Sequence, residues 1–268
     1  MKQSNILFAI GAALLMAGCS ADDERTSYGT GRLDFAVTAS ADVANVTSRA
    51  PEGYVELPTN VVPPAGNLKL TLTGTYKDHD GNPGTLNESW DRFSSYDPEN
   101  FPLECSESNY TATFTYGDDS REGADAAFFR GEVTGIQLTP DTTTEKEVLV
   151  VLANSCFRLQ LDETMTNYYS NLNLTVKTEN GGSFNFTPAT LQNIIFVKAG
   201  QTLTLSGSAN HAASGQSVTF GPQVLNAGNP TRATTMHTIT LKAEGVGSTK
   251  IVVSFDDTFE TIEGEVYI

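Results

Sequence analysis

The sequence predicts an all-β protein built as two tandem β-sandwiches, and three observations carry the prediction. Apolar and polar residues alternate over short runs, those runs are dominated by Thr, Val, Ile, Phe and Tyr, and turns rich in Gly, Asn and Asp separate them. An alternation of two suits a half-buried strand; a buried helical face recurs every three to four residues. Many short strands with polar turns between them argue for sandwiches.

Taken in order, Leu33, Phe35 and Val37 alternate in a first strand over residues 31–39. Residues 41–66 carry Pro51, Pro58, Pro63 and Pro64, which remove ladder donors, so an extended connection is expected there. Leu68, Leu70 and Leu72 alternate in the next strand, 67–76. Tyr, Ala, Phe and Tyr alternate with Thr over 110–116 and stop at the turn Gly117-Asp118-Asp119. Strands follow at 128–138 and 145–153, and the run Val148-Leu149-Val150-Val151-Leu152 predicts a central strand covered on both faces. After a strand at 156–161, residues 162–171 read as the one helical or irregular stretch. Leu172 to Val176 and Phe184 to Phe186 flank Glu179-Asn180-Gly181-Gly182, whose residues tolerate positive φ and predict a hairpin. Later strands are expected at 193–197, 202–206, 217–220, 236–243, 250–255 and 261–268, with Gly245-Val246-Gly247-Ser248 closing another hairpin. The passage between the two sandwiches is placed at 153–156, giving domains 29–153 and 154–268.

The amino end is not expected to join the fold. A lysine, an apolar run from Ile6 to Ala17 and then small residues have the order of a secretory signal. The run is shorter than the roughly 20 residues that span a bilayer, and Asp22, Asp23 and Glu24 follow it. Met16-Ala17-Gly18-Cys19 resembles the lipobox of bacterial lipoproteins, which implies removal of residues 1–18 and acylation of Cys19. Two acyl chains hold a protein to a membrane without a spanning segment, at about 0.8 kcal/mol per buried methylene. Within the acidic tether at 19–28, Ser20-Ala21-Asp22-Asp23-Glu24 resembles the export signal that sends lipoproteins of Bacteroidetes to the outer face of the outer membrane.

Composition excludes some partners. Lys and Arg number 16 against 32 for Asp and Glu, so phosphate backbones are repelled and nucleic acid is not an expected partner. The three histidines, His79, His211 and His237, stand apart in the chain. No nucleophile elbow, phosphate loop, paired Cys ligand motif or His pair at helical spacing is present, so no catalytic residues, metal site or cofactor are expected, and the chain is read as not an enzyme. Asp78-His79-Asp80-Gly81-Asn82 places oxygens at alternate positions, but its glycine comes two places early for a calcium loop and a polar turn explains it as well. Cys105 and Cys156 either form one bridge in an oxidising compartment or remain two separate buried thiols. Trp90, Phe93, Tyr96 and Phe101 lie in a loop-like stretch with nearby carboxylates. Trp90 and Tyr96 are thus candidate sugar-stacking rings, although rings so placed more often pin a loop to its sandwich.

Trp90-Asp91-Arg92-Phe93, the stretch from Tyr110 to Asp118, Phe128-Phe129-Arg130-Gly131, Val150 to Ser155 and the tail 248–268 together resemble the DUF4493 family of Bacteroides lipoproteins. More distantly the chain is similar to fimbrillin-like lipoproteins, whose subunits pair two transthyretin-like sandwiches. That resemblance implies a surface-exposed, lipid-anchored outer-membrane protein with an adhesive or fimbria-related structural role. It also gives Ser48-Arg49-Ala50 a meaning: in such proteins an Arg-specific protease cuts at this kind of site and frees the first strand's groove for a strand of another fimbrial subunit. Arg232, in Thr231-Arg232-Ala233, has similar surroundings. The alternative function is a glycan-binding surface lipoprotein of a nutrient-uptake system.

Overall fold

The computed structural model describes residues 28–45, 53–244, 250–256 and 258–266. The first half supplies β1 (Thr30–Ala39), β2 (Asp42–Asn45), β3 (Gly53–Glu56), β4 (Lys69–Lys77), β5 (Pro83–Trp90), β6 (Leu103–Glu104), β7 (Asn109–Tyr116), β8 (Phe129–Ile136) and β9 (Thr143–Leu152). Seven of these run in the order β5-β4-β7-β8-β9-β1-β6. β8 and β9 share only the pairs Phe129↔Leu152 and Arg130↔Val151, and there the sheet folds over on itself. The ring of Phe35 on β1 consequently meets that of Phe114 on β7, edge to face at 5.2 Å, across the core and not along a ladder. Leu33, Leu70, Leu72, Tyr110, Phe114, Phe129, Val150 and Leu152 fill the space between the layers.

The second half supplies β10 (Ser155–Leu161), α1 (Glu163–Tyr168), β11 (Tyr169–Thr178), β12 (Ser183–Phe186), β13 (Ile195–Val197), β14 (Leu203–His211), β15 (Ser217–Val224), β16 (Thr235–Ala243), β17 (Lys250–Phe255) and β18 (Thr258–Val266). Their order is β12-β11-β14-β15-β18-β17-β16-β10-β13. β18 turns the corner, pairing with β17 along its first residues and with β15 at its end. Phe157 of β10 faces Phe184 and Phe186 of β12 across a second core. The short helix begins where Asp162 caps it, its carboxylate accepting from the Thr164 amide at 2.9 Å.

The structure departs from the sequence reading in three places. β9 is covered on one face only: Val148, Val150 and Leu152 are buried, whereas Leu149 is 61 % exposed. Its apolar run reflects the preference of Val and Leu for a pleated strand, not burial on both sides. The proline-bearing connection is paired in part, since β2 and β3 form a hairpin and β2 adds in parallel to Thr235 and Met236 of β16. The first half therefore lends strands to the second half's sheet, although sheet membership does change between Leu152 and Ser155. Finally, β5 had no sequence signal, because Pro83 to Trp90 buries no full apolar face.

Candidate functional site: the seat of the first strand

β1 is the strand that the sequence reading singled out, and its two edges are held differently. Toward β9 it makes a parallel ladder of eight residue pairs, from Arg32↔Thr143 to Ala39↔Val150. The Arg32 and Ser40 amides donate to Thr142 and Val150 carbonyls, so the even-numbered backbone groups face β9 and the odd-numbered ones face away. On that far edge β6 pairs only with Thr30 and Gly31. Beyond it, side chains stand in for a ladder. Tyr96 donates its hydroxyl to the Leu33 carbonyl at 2.6 Å, and the Asp34 carboxylate accepts from the Phe35 amide at 2.8 Å.

Tyr96 belongs to a strap, residues 91–104, that reaches the far edge of β1 and contains a 3-10 turn at Phe93–Ser95. Trp90 packs edge-on against both Tyr96 and Phe101 at 4.9 Å. Phe93 and Tyr96 stack at 6.3 Å. Burial, reinforced by Asp34 and Asp97, pushes the Tyr96 hydroxyl above its ordinary pKa, so it stays a donor. Of the two candidate sugar-stacking rings, Tyr96 is 8 % exposed and committed to Leu33, and Trp90 is half-buried against its neighbours. Both rings pin the strap.

Cys105 and Cys156 are free, buried thiols. Cys105 sits beside Gly31, at the start of β1, and Cys156 follows the far end of β9. The ten residues of β9 span roughly 30 Å, whereas a bridge needs Cα atoms within about 7 Å. Of the two alternatives, the bridge is therefore not formed and Cys105 and Cys156 are two separate buried thiols. Burial pushes the Cys105 thiol up to about 11, with Glu104 and Asp141 adding to it. Burial raises that of Cys156 to about 12 against a smaller opposing effect of Arg158. Cys19, Arg49 and Ala50 lie outside the described residues, Arg49 and Ala50 in the segment between β2 and β3.

Asp78 closes the β4–β5 turn, accepting from the amides of Asp80 and Asn82 at 2.9 and 2.8 Å. These bonds hold its carboxyl below the usual range, the Asn82 amide foremost. Among the described residues no group of three or more His, Cys, Asp or Glu is placed to hold a metal ion, and no helix is long and apolar enough to cross a membrane.

One polar pair escaped the sequence reading. His237 on β16 and Asp256, just after β17, are both buried, and the imidazole Nδ1 bonds to the carboxylate. The other carboxylate oxygen accepts from the Thr238 amide at 2.9 Å. Nε2 accepts from the Arg232 amide at 3.1 Å, and Phe255 stacks on the ring at 4.8 Å. With both nitrogens engaged, the imidazole has no free atom to act as a base. The pair is a buried clamp between strand ends.

The fold and this seat define a class: an all-β chain of two packed sandwiches, with its first strand held in a side-chain clasp. The chain belongs to the family described as "Domain of unknown function (DUF4493)", which it matches over residues 29–268. No curated protein matches it. Among solved structures it is similar to a protein named for cell adhesion from Bacteroides ovatus, at 10 % identity and a TM-score of 0.41, covering 90 % of this chain and 98 % of that one. A second protein named for cell adhesion, from Bacteroides eggerthii, gives 8 % identity, a TM-score of 0.38 and coverage of 90 % and 96 %. A fimbrial assembly protein from Parabacteroides distasonis gives 11 % identity, a TM-score of 0.37 and coverage of 85 % and 99 %.

Proposed function

We propose that the chain is a surface-exposed outer-membrane lipoprotein, anchored through Cys19, with a non-catalytic role as an adhesive or fimbria-related structural subunit. The observation that carries this reading is the seat of β1. The strand comes first in the body, buries Leu33 and Phe35, and has a long backbone ladder along one edge with only two residue pairs on the other. It is hydrophobically needed yet topologically easy to remove. Cleavage at Arg49 would part β1 and β2 from everything that follows. The apolar surface thereby exposed favours refilling by about 25 cal/mol per Å². The strand of another subunit fits such a vacancy, because main-chain bonds along β9 give affinity and alternate side chains give specificity.

Amino-terminal sequencing of protein taken from the cell surface tests the proposal. A chain beginning at Ala50 is expected in assembled material; acylated Cys19 at the start of every fraction would remove the polymerising role and leave an anchored lipoprotein. A Cys19→Ala variant is expected to lose its lipid label and leave the membrane fraction.

A further inference from the structure

We infer that the rings of Phe93, Tyr96 and Phe114 make the seat of β1 selective for a partner strand that carries an aromatic side chain where Phe35 now sits. The inference rests on the reading that β1 is replaceable. Phe35 meets Phe93 at 6.3 Å and Phe114 at 5.2 Å edge to face, and Tyr96 at 5.9 Å with a tilt of 52°. Inclined contacts of this kind place the positive edge of one ring on the negative face of another, which no aliphatic side chain reproduces.

Each wall has a hold outside β1, although Tyr96 also bonds the Leu33 carbonyl and β6, at the strap's end, pairs with Thr30 and Gly31. Phe114 is on β7, whose partners are β4 and β8. The strap is hung at one end by the Phe93 amide, which donates to the Leu68 carbonyl at 2.6 Å. At the other end the Tyr110 hydroxyl donates to the Glu104 carbonyl at 2.8 Å. Trp90 and Phe101, neither of them on β1, also pack edge-on against Tyr96. A strand can therefore leave while its aromatic socket remains.

The socket also fixes the approach. Tyr96 needs a carbonyl two residues before the aromatic position, as Leu33 provides. Between them a short acceptor side chain, the role of Asp34, closes the following amide. The partner is thus an extended segment running parallel to β9, with an aliphatic residue, a short oxygen-bearing residue and an aromatic residue in succession.

The test uses the full chain with a specific protease sequence placed at 46–52, cut and left assembled. Fluorescent peptides with the sequence of β1, carrying Phe, Leu or Ala at position 35, are added in excess, and incorporation is followed by co-elution and anisotropy. The three ring contacts predict roughly tenfold weaker incorporation of the Leu peptide than of the Phe peptide, with the Ala peptide weaker still. Phe93→Leu, which keeps an apolar side chain and removes one ring, is expected to narrow that gap. Tyr96→Phe retains the ring and loses only the bond to the carbonyl, so all three peptides should enter faster in unchanged order. Equal entry of the Phe and Leu peptides overturns the aromatic socket and leaves strand replacement standing. If none of the peptides enters the cut protein, the replaceable strand itself is overturned, and the socket with it.

Discussion

At the scale of single residues, the buried polar groups divide into those that close a backbone and those that are merely hidden. Tyr96 and His237 are of the first kind. Each occupies a donor or acceptor that no neighbouring strand reaches. Removing His237 leaves one oxygen of the buried Asp256 carboxyl without its hydrogen-bond partner, so His237→Ala is expected to cost about 2–3 kcal/mol; a loss below about 1 kcal/mol in urea unfolding would show that water replaces the imidazole. Cys105 and Cys156 are of the second kind. Denatured, unreduced mature protein is expected to titrate two thiols, and native protein none, in a colorimetric thiol assay. Their raised pKa values also set a pH dependence. The fold holds the protonated thiol, so this contribution is intact below pH 9, where the unfolded thiols too are protonated. It is lost as the pH rises from 9 through about 11 and 12. Alanine at both positions should flatten that alkaline slope in a stability profile.

At the scale of elements, β9 shows how a strand's environment can differ from its composition. Leu149 lies on the open face, so Leu149→Lys is expected to change stability by no more than about 0.5 kcal/mol, whereas Leu152→Ala should cost about 2–5 kcal/mol. Comparable losses at the two positions in denaturant titrations would restore the doubly covered strand that the run of Val and Leu suggests. Gly131 lets β8 come close to β9 where their pairing ends: a Cβ there would stand 2.6 Å from the Leu149 carbonyl oxygen. The elements legible in the sequence are those with one buried face, such as β1, β7 and β11, where the alternation of side chains is the burial pattern itself. β5 and β6 were not legible, since β5 exposes most of its residues and β6 has only two. The β2–β3 hairpin was hidden by its prolines, and its partner β16 lies far along the chain. The seat of β1 was legible as a strand that must bury Leu33 and Phe35. The strap's grip on its far edge was not, because a hydroxyl reaching a carbonyl 63 residues away leaves no local pattern. The His237 clamp was within reach: a hairpin folded about Gly245 to Ser248 sets Thr238 beside Asp256, and the structure has that register.

At the scale of the whole molecule, the two sandwiches are joined closely enough to act as one body. Gly123, on the connection from β7 to β8, exchanges two backbone bonds of 2.9 Å with Phe196 of β13. Its neighbour Glu122 accepts from the Thr178 hydroxyl at 2.7 Å and from the Lys198 amide at 3.3 Å. Asn154, at the passage between the halves, donates to the Ala126 carbonyl at 2.8 Å and accepts from the Phe128 amide at 3.2 Å. The apolar cores interlock as well, for Cys156, Phe196 and Met236 come from the second half's strands and pack in the first half's core. Cooperative unfolding is the measurable consequence. Trp90, the single tryptophan of the chain, reports the first sandwich alone, whereas far-ultraviolet circular dichroism reports strands of both. In the native sequence the two signals are expected to move together through one transition. Phe196→Ala removes a large ring from the first core while sparing most of the second, at an expected cost of about 3–5 kcal/mol. Its Trp90 transition should then fall at a lower urea concentration than the dichroism transition. Two separate transitions in the native protein would mean that the bonds at Glu122, Gly123 and Asn154 tether the sandwiches without coupling them. Coincident curves in the variant would place the coupling in those polar contacts and not in the shared core.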